Sequence, residues 1–382
     1  MKKRDRKTLI SRVKRVVIKI GSSVLTNEYG EISEAVFDEI AGEVSRLKSG
    51  GVEPILVSSG AIAAGMKKLR LGEKPKDIST KQAIAACGQS TLIWYYERAF
   101  SEYGERVAQI LLTHDGLSVR KRFLNARKTL FTLLRMGVIP IVNENDTVAV
   151  EEIMFGDNDN LAALVTSLVE ADLLILLSDI DGLYNKNPRN HSDAELISVI
   201  EEIDERVKEI AGETLGKTTT GGMTTKIEAS KTAAAFGVPT IIANGKNSST
   251  LSEIFSGKEL GTLFLPAKEK INARKHWIAF TLKPSGEIII DDGARRAITF
   301  FGKSLLPAGI KGVRGEFEVG ELVKCIDEMG VEVARGLTCY GSDDIKKIVG
   351  AKTSNIERIL GYKYSDEIIH RDDLVVISKA RI

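Results

Sequence analysis

A chain of 382 residues with 43% hydrophobic and 28% charged content has the composition of an ordinary globular protein, and its length calls for two or three domains rather than one core. A net charge of +2 is near neutral and argues neither for nor against a nucleic-acid partner. The three cysteines (Cys87, Cys325, Cys339) and four histidines (His114, His191, His276, His370) are dispersed, so no disulfide framework, histidine-based metal site or catalytic triad is visible.

The opening stretch MKKRDRKTLISRVKR is basic like the first region of a secretory signal. The run after it, RVVIKIG, is short, interrupted by Lys19 and lacks a small-residue cleavage site, so the arm is expected to be a solvated extension. The longest apolar run, Leu173 to Leu177, cannot span a bilayer. A cytoplasmic protein without membrane association is expected.

In chain order, the β-branched run Arg15 to Ile20 predicts a strand ending at Gly21-Ser22-Ser23. Ser33 to Ser49 places Val36, Ile40, Val44 and Leu47 on one helical face and stops at Gly50-Gly51. Ile55 to Val57 predicts a second strand, running into Ser58-Ser59-Gly60. Ser79 to Tyr103 reads as a helix opened by a capping box from Ser79 to Gln82. Val107 to Leu112 predicts a strand, Val119 to Met136 a helix and Val138 to Val142 a strand. There follow helices at 161–169, 204–211 and 223–236, with strands at Leu173 to Leu177 and Val238 to Ala243. This alternation predicts an α/β fold, a mostly parallel sheet sandwiched by helices, with ligands at the carboxyl ends of the strands. From about residue 275 the pattern changes to short strand signals with many glycines, which predicts a small β-rich C-terminal domain. The expected division is 1–265, a linker at 266–274, and 275–382.

Residues 140–160, PIVNENDTVAVEEIMFGDNDN, form two polar clusters, Asn143 to Asp146 and Asp157 to Asn160, around a mostly apolar span. Either cluster alone reads as a surface turn. Three glycine-bearing loops change that balance: Gly21-Ser22-Ser23, Ser58-Ser59-Gly60, and Thr220-Gly221-Gly222-Met223-Thr224-Thr225-Lys226. Such loops let backbone N–H groups approach an anion at a helix N-terminus, and three of them point to a polyphosphate site. Lys19 lies inside the apolar strand VVIKI. It either guards an edge strand or reaches over the first loop to a phosphate, and its place two residues before Gly21 favours the second reading. Lys226 is placed for the same role from the other side. Residues 211–218, AGETLGKT, imitate a Walker A motif, but the segment before them is helical and the one after is TTTGG, so Lys217 is read as incidental.

The segments VVIKIGSSVLT, LVSSGAIAAG, VNENDTVAVEEIMFGDNDNLAAL, LLSDIDGLYNKNP and TGGMTTK together resemble the amino acid kinase family, over residues 14 to 265. Within it they are most similar to the branch that acts on glutamate, with the NEND and GDNDN pair as the most specific part. GEIIIDDGA, SLLPAGIKGVRG and HRDD resemble a PUA domain. The resemblance implies ATP-dependent phosphorylation of the side-chain carboxylate of L-glutamate to L-glutamyl 5-phosphate, the first step of proline biosynthesis, with Mg²⁺. It implies Lys19, Asp159 and Lys226 as catalytic residues, Asp159 orienting the two lysines. Ser59, Asn143, Asp146, Asp157 and Asn158 would receive glutamate. Lys19, Gly21, Ser22, Ser178, Asp179 and the run Thr220, Gly221, Gly222, Met223, Thr224, Thr225, Lys226 would receive the nucleotide. Ser178 and Thr224 stand where the family often has Thr and Ser, and both keep a hydroxyl. A homo-oligomer inhibited by proline is a further implication.

Two rival readings are a related kinase with another carboxylate acceptor, and an RNA-binding protein acting through the second domain. Residues 283–382 hold 16 Lys and Arg against 16 Asp and Glu, which lacks the basic excess of an RNA-binding face. RNA binding is therefore not expected of that domain.

Overall fold

The computed structural model of the chain describes residues 4–73, 75, 77–148, 158–188, 190–213, 222–266 and 284–377. The chain divides into two compact units, and the break along the backbone falls near residue 270. No helix among the described residues is long and apolar enough to cross a membrane.

The strands of the first unit are β1 (Arg15–Ile20), β2 (Glu53–Ser58), β3 (Val107–Leu112), β4 (Ile139–Glu144), β5 (Leu173–Ser178), β6 (Val199–Ile200), β7 (Thr240–Asn244) and β8 (Thr262–Phe264). They form one sheet in the order β3-β4-β2-β1-β5-β7-β8-β6. The pairings from β3 through to β7 are all parallel, and only β8 runs antiparallel to its neighbour β7. The helices are α1 (Arg4–Ile10), α2 (Ser22–Leu25), α3 (Glu34–Ser49), α4 (Ala61–Leu69), α5 (Ile78–Ser101), α6 (His114–Ser118), α7 (Arg120–Arg135), α8 (Asn158–Leu168), α9 (Glu205–Glu213), α10 (Met223–Ala235) and α11 (Thr250–Phe255).

Strand β1 is central, with Lys19 opposite Val57 of β2 on one side and Leu176 of β5 on the other. The edge-strand reading of Lys19 is thereby removed. Val16, Ile18 and Ile20 join the main apolar core with Phe37, Val44, Tyr96 and Phe100. Strand alternation then puts Lys19 on the opposite face, with Val17. Its charge is buried there, and that costs several kcal/mol unless a carboxylate meets it.

Several local expectations are corrected. Helix α5 begins at Ile78, and its N-cap is Asp77, whose carboxylate accepts from the Thr80 N–H at 2.8 Å. Ser79 is already inside the helix, and an ionised oxygen is the better acceptor for the exposed N–H groups of the first turn. The basic arm is not a solvated extension from its fourth residue on. It forms α1, where Arg6 and Ile10, one helical turn apart, are both buried, and Arg6 donates to the Leu260 carbonyl. The helix predicted at 119–136 is α7, Arg120–Arg135, and the short helix α6 that precedes it was not anticipated.

Helices α4 and α5 meet backbone to backbone. A Cβ on Gly88 would lie 1.8 Å from the Ala61 carbonyl oxygen, and one on Gly65 would lie 2.0 Å from that of Ile84. This close approach fixes where the next residue along α5, Gln89, stands.

The second unit holds β9 (Gly286–Ile290), β10 (Ile310–Gly315), β11 (Leu322–Ile326), β12 (Glu332–Leu337) and β13 (Leu374–Val376) in the order β10-β9-β11-β12-β13. Ile288, Ile290, Val323, Cys325, Val333, Ile345 and Ile369 belong to its own core. Strand β10 and the helices α12 (Asp292–Phe301), α13 (Ser342–Ile348) and α14 (Ile356–Leu360) were not anticipated, because IKGVRG and the short flanking segments carry weak periodicity. All three cysteines are free, and burial pushes the Cys325 thiol up to about 12.

Candidate active site

The carboxyl ends of the parallel strands gather most of the residues singled out in the sequence. Lys19 is the penultimate residue of β1, Ser59 follows β2, Asn143 and Glu144 close β4, and Ser178 closes β5. Asn143 and Glu144 are therefore buried strand residues rather than turn residues. Asn158 and Asp159 form the first turn of α8, not a loop before it. Polar residues at those places are held by regular backbone hydrogen bonding, so their side chains are aimed by the fold.

Asp159 is fully buried and sits between two lysines. Its Oδ1 is 2.7 Å from Lys19 Nζ and its Oδ2 is 3.2 Å from Lys226 Nζ, and the Thr225 hydroxyl donates to Oδ2 at 2.8 Å. Both lysines are nearly buried, at 5% and 4% exposure. Burial pushes the Asp159 carboxyl up, but the two ammonium groups and Thr225 outweigh it and hold it down at about 2. The group is thus ionised at any working pH, and the three side chains carry a net charge of +1 in a dry setting. Such an arrangement is suited to an anion that approaches the lysines. Gly21 lies beside it: a Cβ there would stand 3.2 Å from the Leu177 carbonyl oxygen and 3.7 Å from Lys19 Nζ.

A second set of side chains, neutral apart from Asp146, is joined by amide hydrogen bonds. Asn158 Nδ2 is within bonding distance of the Ser58 carbonyl (3.2 Å), Ser59 Oγ (3.1 Å) and Asn143 Oδ1 (3.1 Å). Asn143 Nδ2 donates to Gln89 Oε1 at 3.3 Å, and Gln89 Nε2 donates to Asp146 Oδ2 at 3.3 Å. Burial pushes the Asp146 carboxyl up to about 6, against the pull of the Gln89 bond. Sequence reasoning missed Gln89 and also Tyr96, seven residues along α5, whose hydroxyl meets Ser58 Oγ at 2.8 Å. Their signal is a polar pair at i and i+7 on an otherwise apolar helix face, which only the packing partner makes readable.

Ser178 and Ser23 both donate to Asp179 Oδ1 at 3.2 Å, tying the end of β5 to the glycine loop after β1. Ser22 is exposed there. Gly222 is the N-cap of α10, Met223 is buried and Thr224 exposed. Asp157, Thr220, Gly221 and Lys217 lie outside the described residues. The segment before Lys217 is the helix α9 rather than a strand, as the rejection of a Walker A loop requires. Among the described residues no group of three or more His, Cys, Asp or Glu could hold a metal ion.

A mostly parallel sheet with two buried lysines held by one aspartate at its strand ends is a setting suited to a phosphorylated ligand. The amino acid kinase family model matches residues 14–244, and the chain belongs to that family. The PUA domain model matches residues 286–360. Among curated proteins the chain is 54% identical to the glutamate 5-kinase of Geobacter sulfurreducens, covering 97% of this chain and 100% of that one. It is 53% identical to the glutamate 5-kinase of Caldanaerobacter subterraneus subsp. tengcongensis (96% and 98%), and 50% identical to that of Trichlorobacter lovleyi (98% and 99%).

Proposed function

We propose that this kinase transfers the γ-phosphoryl group of ATP to the side-chain carboxylate of L-glutamate, giving L-glutamyl 5-phosphate for proline biosynthesis. The observation that carries the reading is the Lys19–Asp159–Lys226 triad standing next to the amide-lined cluster of Ser59, Asn143, Asp146 and Asn158. The acceptor carboxylate has a reference pKa near ~4.3, is ionised at neutral pH and needs no general base. The obstacle is the repulsion between that anion and the polyphosphate, and the chemistry is positioning and charge neutralisation.

Lys19 and Lys226 contact the transferring phosphoryl group, and Asp159 holds their ammonium groups at a fixed separation. The cluster at Ser59, Asn143, Asp146 and Asn158, with Asp157, receives the amino acid, and Asp146 meets its ammonium group. Gly21, Ser22, Ser178, Asp179 and the run from Thr220 through Thr225 receive the nucleotide. Magnesium arrives as the counter-ion of the ATP phosphates and is substrate in that sense. Asp159 is already engaged by two ammonium groups and a hydroxyl, so it is not a free metal ligand.

The kinase domain is assigned to residues 1–265, the linker to 266–274 and the PUA domain to 275–382. The second domain serves assembly or regulation of a cytoplasmic homo-oligomer, with proline as feedback inhibitor and without an RNA ligand. Hydroxylamine trapping of an acyl phosphate from ATP, Mg²⁺ and a panel of amino acids tests the central claim. Turnover with glutamate is expected, and turnover with aspartate but not glutamate overturns it.

A further inference from the structure

We infer that Gln89, on α5 and outside every segment that carries the family resemblance, is a positioning residue that makes the amino-acid site selective for a substrate bearing an ammonium group. The inference rests on the glutamate reading above. Gln89 is 9% exposed and uses both ends of its amide. Its Nε2 donates to the Glu144 carbonyl and to Asp146 Oδ2, both at 3.3 Å. Its Oε1 accepts from Gln109 Nε2 at 3.1 Å and Asn143 Nδ2 at 3.3 Å.

An amide side chain can be turned over, exchanging donor for acceptor, so the polarity of such a network needs an anchor. Here each amide is tied to a backbone group whose polarity cannot change. The Glu144 carbonyl requires the Nε2 end of Gln89. The Glu144 N–H requires the Oδ1 end of Asn143, at 2.8 Å. The Ser58 carbonyl requires the Nδ2 end of Asn158. With those three fixed, Asn143 Nδ2 must donate to Gln89, and Asn143 Oδ1 must accept from Asn158.

What remains at the end of the chain of bonds is Asn158 Oδ1. It is buried and has no hydrogen-bond partner among the described residues. A buried acceptor left unmade is costly, and a donor brought by the ligand relieves it. Gln89 also engages one oxygen of Asp146, which fixes the plane of that carboxylate. The site therefore offers the substrate a neutral acceptor and a carboxylate, a set that fits a group with several N–H donors. A dicarboxylate without the ammonium would leave Asn158 Oδ1 unpaired and Asp146 unneutralised, and a site built to bond a polar group rejects the analogue that lacks it.

The test compares L-glutamate with glutarate, which has the same two carboxylates and no ammonium group. Gln89→Met keeps the volume and removes all four bonds. For this variant KM for glutamate is expected to rise by about tenfold or more, with kcat within about threefold and KM for ATP unchanged. The wild-type preference for glutamate over glutarate in kcat/KM should shrink by a similar factor. A purely structural role would lower kcat or the melting temperature without changing that preference, and an unchanged preference in folded Gln89→Met overturns the inference. Should Gln89→Met not fold, Gln109→Ala decides. Gln109 is exposed on the edge strand β3 and supplies only one bond to Gln89, so a rise of about twofold to fivefold in glutamate KM is expected, and none refutes the inference. Absence of glutamate turnover in the wild-type protein would instead strike the glutamate reading itself.

Discussion

Two adjacent residues at the start of α8 face opposite kinds of chemistry. Asp159 is locked between two ammonium groups, and its carboxyl is held at about 2. Asn158 is locked among a carbonyl, a hydroxyl and an amide, with no charge in the set. Under the proposed function the Asp159 side meets the phosphoryl group and must counter a large negative charge, and there buried ion pairs supply a preorganised field at the cost of desolvating three groups. Under the same proposal the Asn158 side receives the amino acid and must tell one small molecule from another, and there direction matters more than charge. One helix turn serves both because consecutive residues on α8 point about 100° apart, toward β1 and α10 on one side and toward β2 and β4 on the other.

Removing a charge should cost most. In Lys226→Ala kcat is expected to fall by about a hundredfold or more with a modest change in either KM, and a change confined to KM would break the contrast by making Lys226 a binding residue. Asp146 sits at the boundary, a carboxylate within the neutral set, and should give an intermediate effect. In the proposed role its ionised form meets the substrate ammonium group, and burial pushes its carboxyl in the free protein up to about 6. The kcat/KM for glutamate should therefore decline as pH falls through about 6, and Asp146→Asn should lose that limb while raising glutamate KM about tenfold. A variant that keeps the limb would transfer it to another group. The smallest effect is expected from Asp77→Ala, which removes the cap of α5 and should cost about 1 kcal/mol in thermal or denaturant unfolding. Kinetic constants should stay put, because the cap lies three helical turns from Gln89; a change in glutamate KM would show that α5 transmits its end to the site.

The relation between sequence and structure differs across the same divide. Lys19 was visible because a lone cation in VVIKI breaks an apolar pattern, Lys226 because it follows the glycines that open a helix, and the role of Asp159 through the family resemblance. Gln89 was not visible, since a glutamine in AIAACGQSTLIWYY is an ordinary helix former until β4 is packed against it. The order of β1 to β5 and β7 and of the longer helices between them was legible because long segments there repeat at clear periods, whereas β6, β8 and the short helices α1, α2, α4, α6 and α11 were not. Element ends were less legible: the boundaries at Asp77, Val119 and Asn158 are set by which acceptor or neighbour wins locally. In the second unit β10 escaped notice for want of periodicity.

By itself the sequence determined the alternating α/β pattern, the change of character near residue 275 and the identity of the charged groups. These follow from periodicity and composition, which are local quantities. Only the tertiary structure decided that β1 is central, so that Lys19 is buried and needs Asp159, and that the backbones of Glu144 and Ser58 fix which way three amides turn. Both depend on which strands and helices become neighbours across dozens of residues, and no local window holds that information.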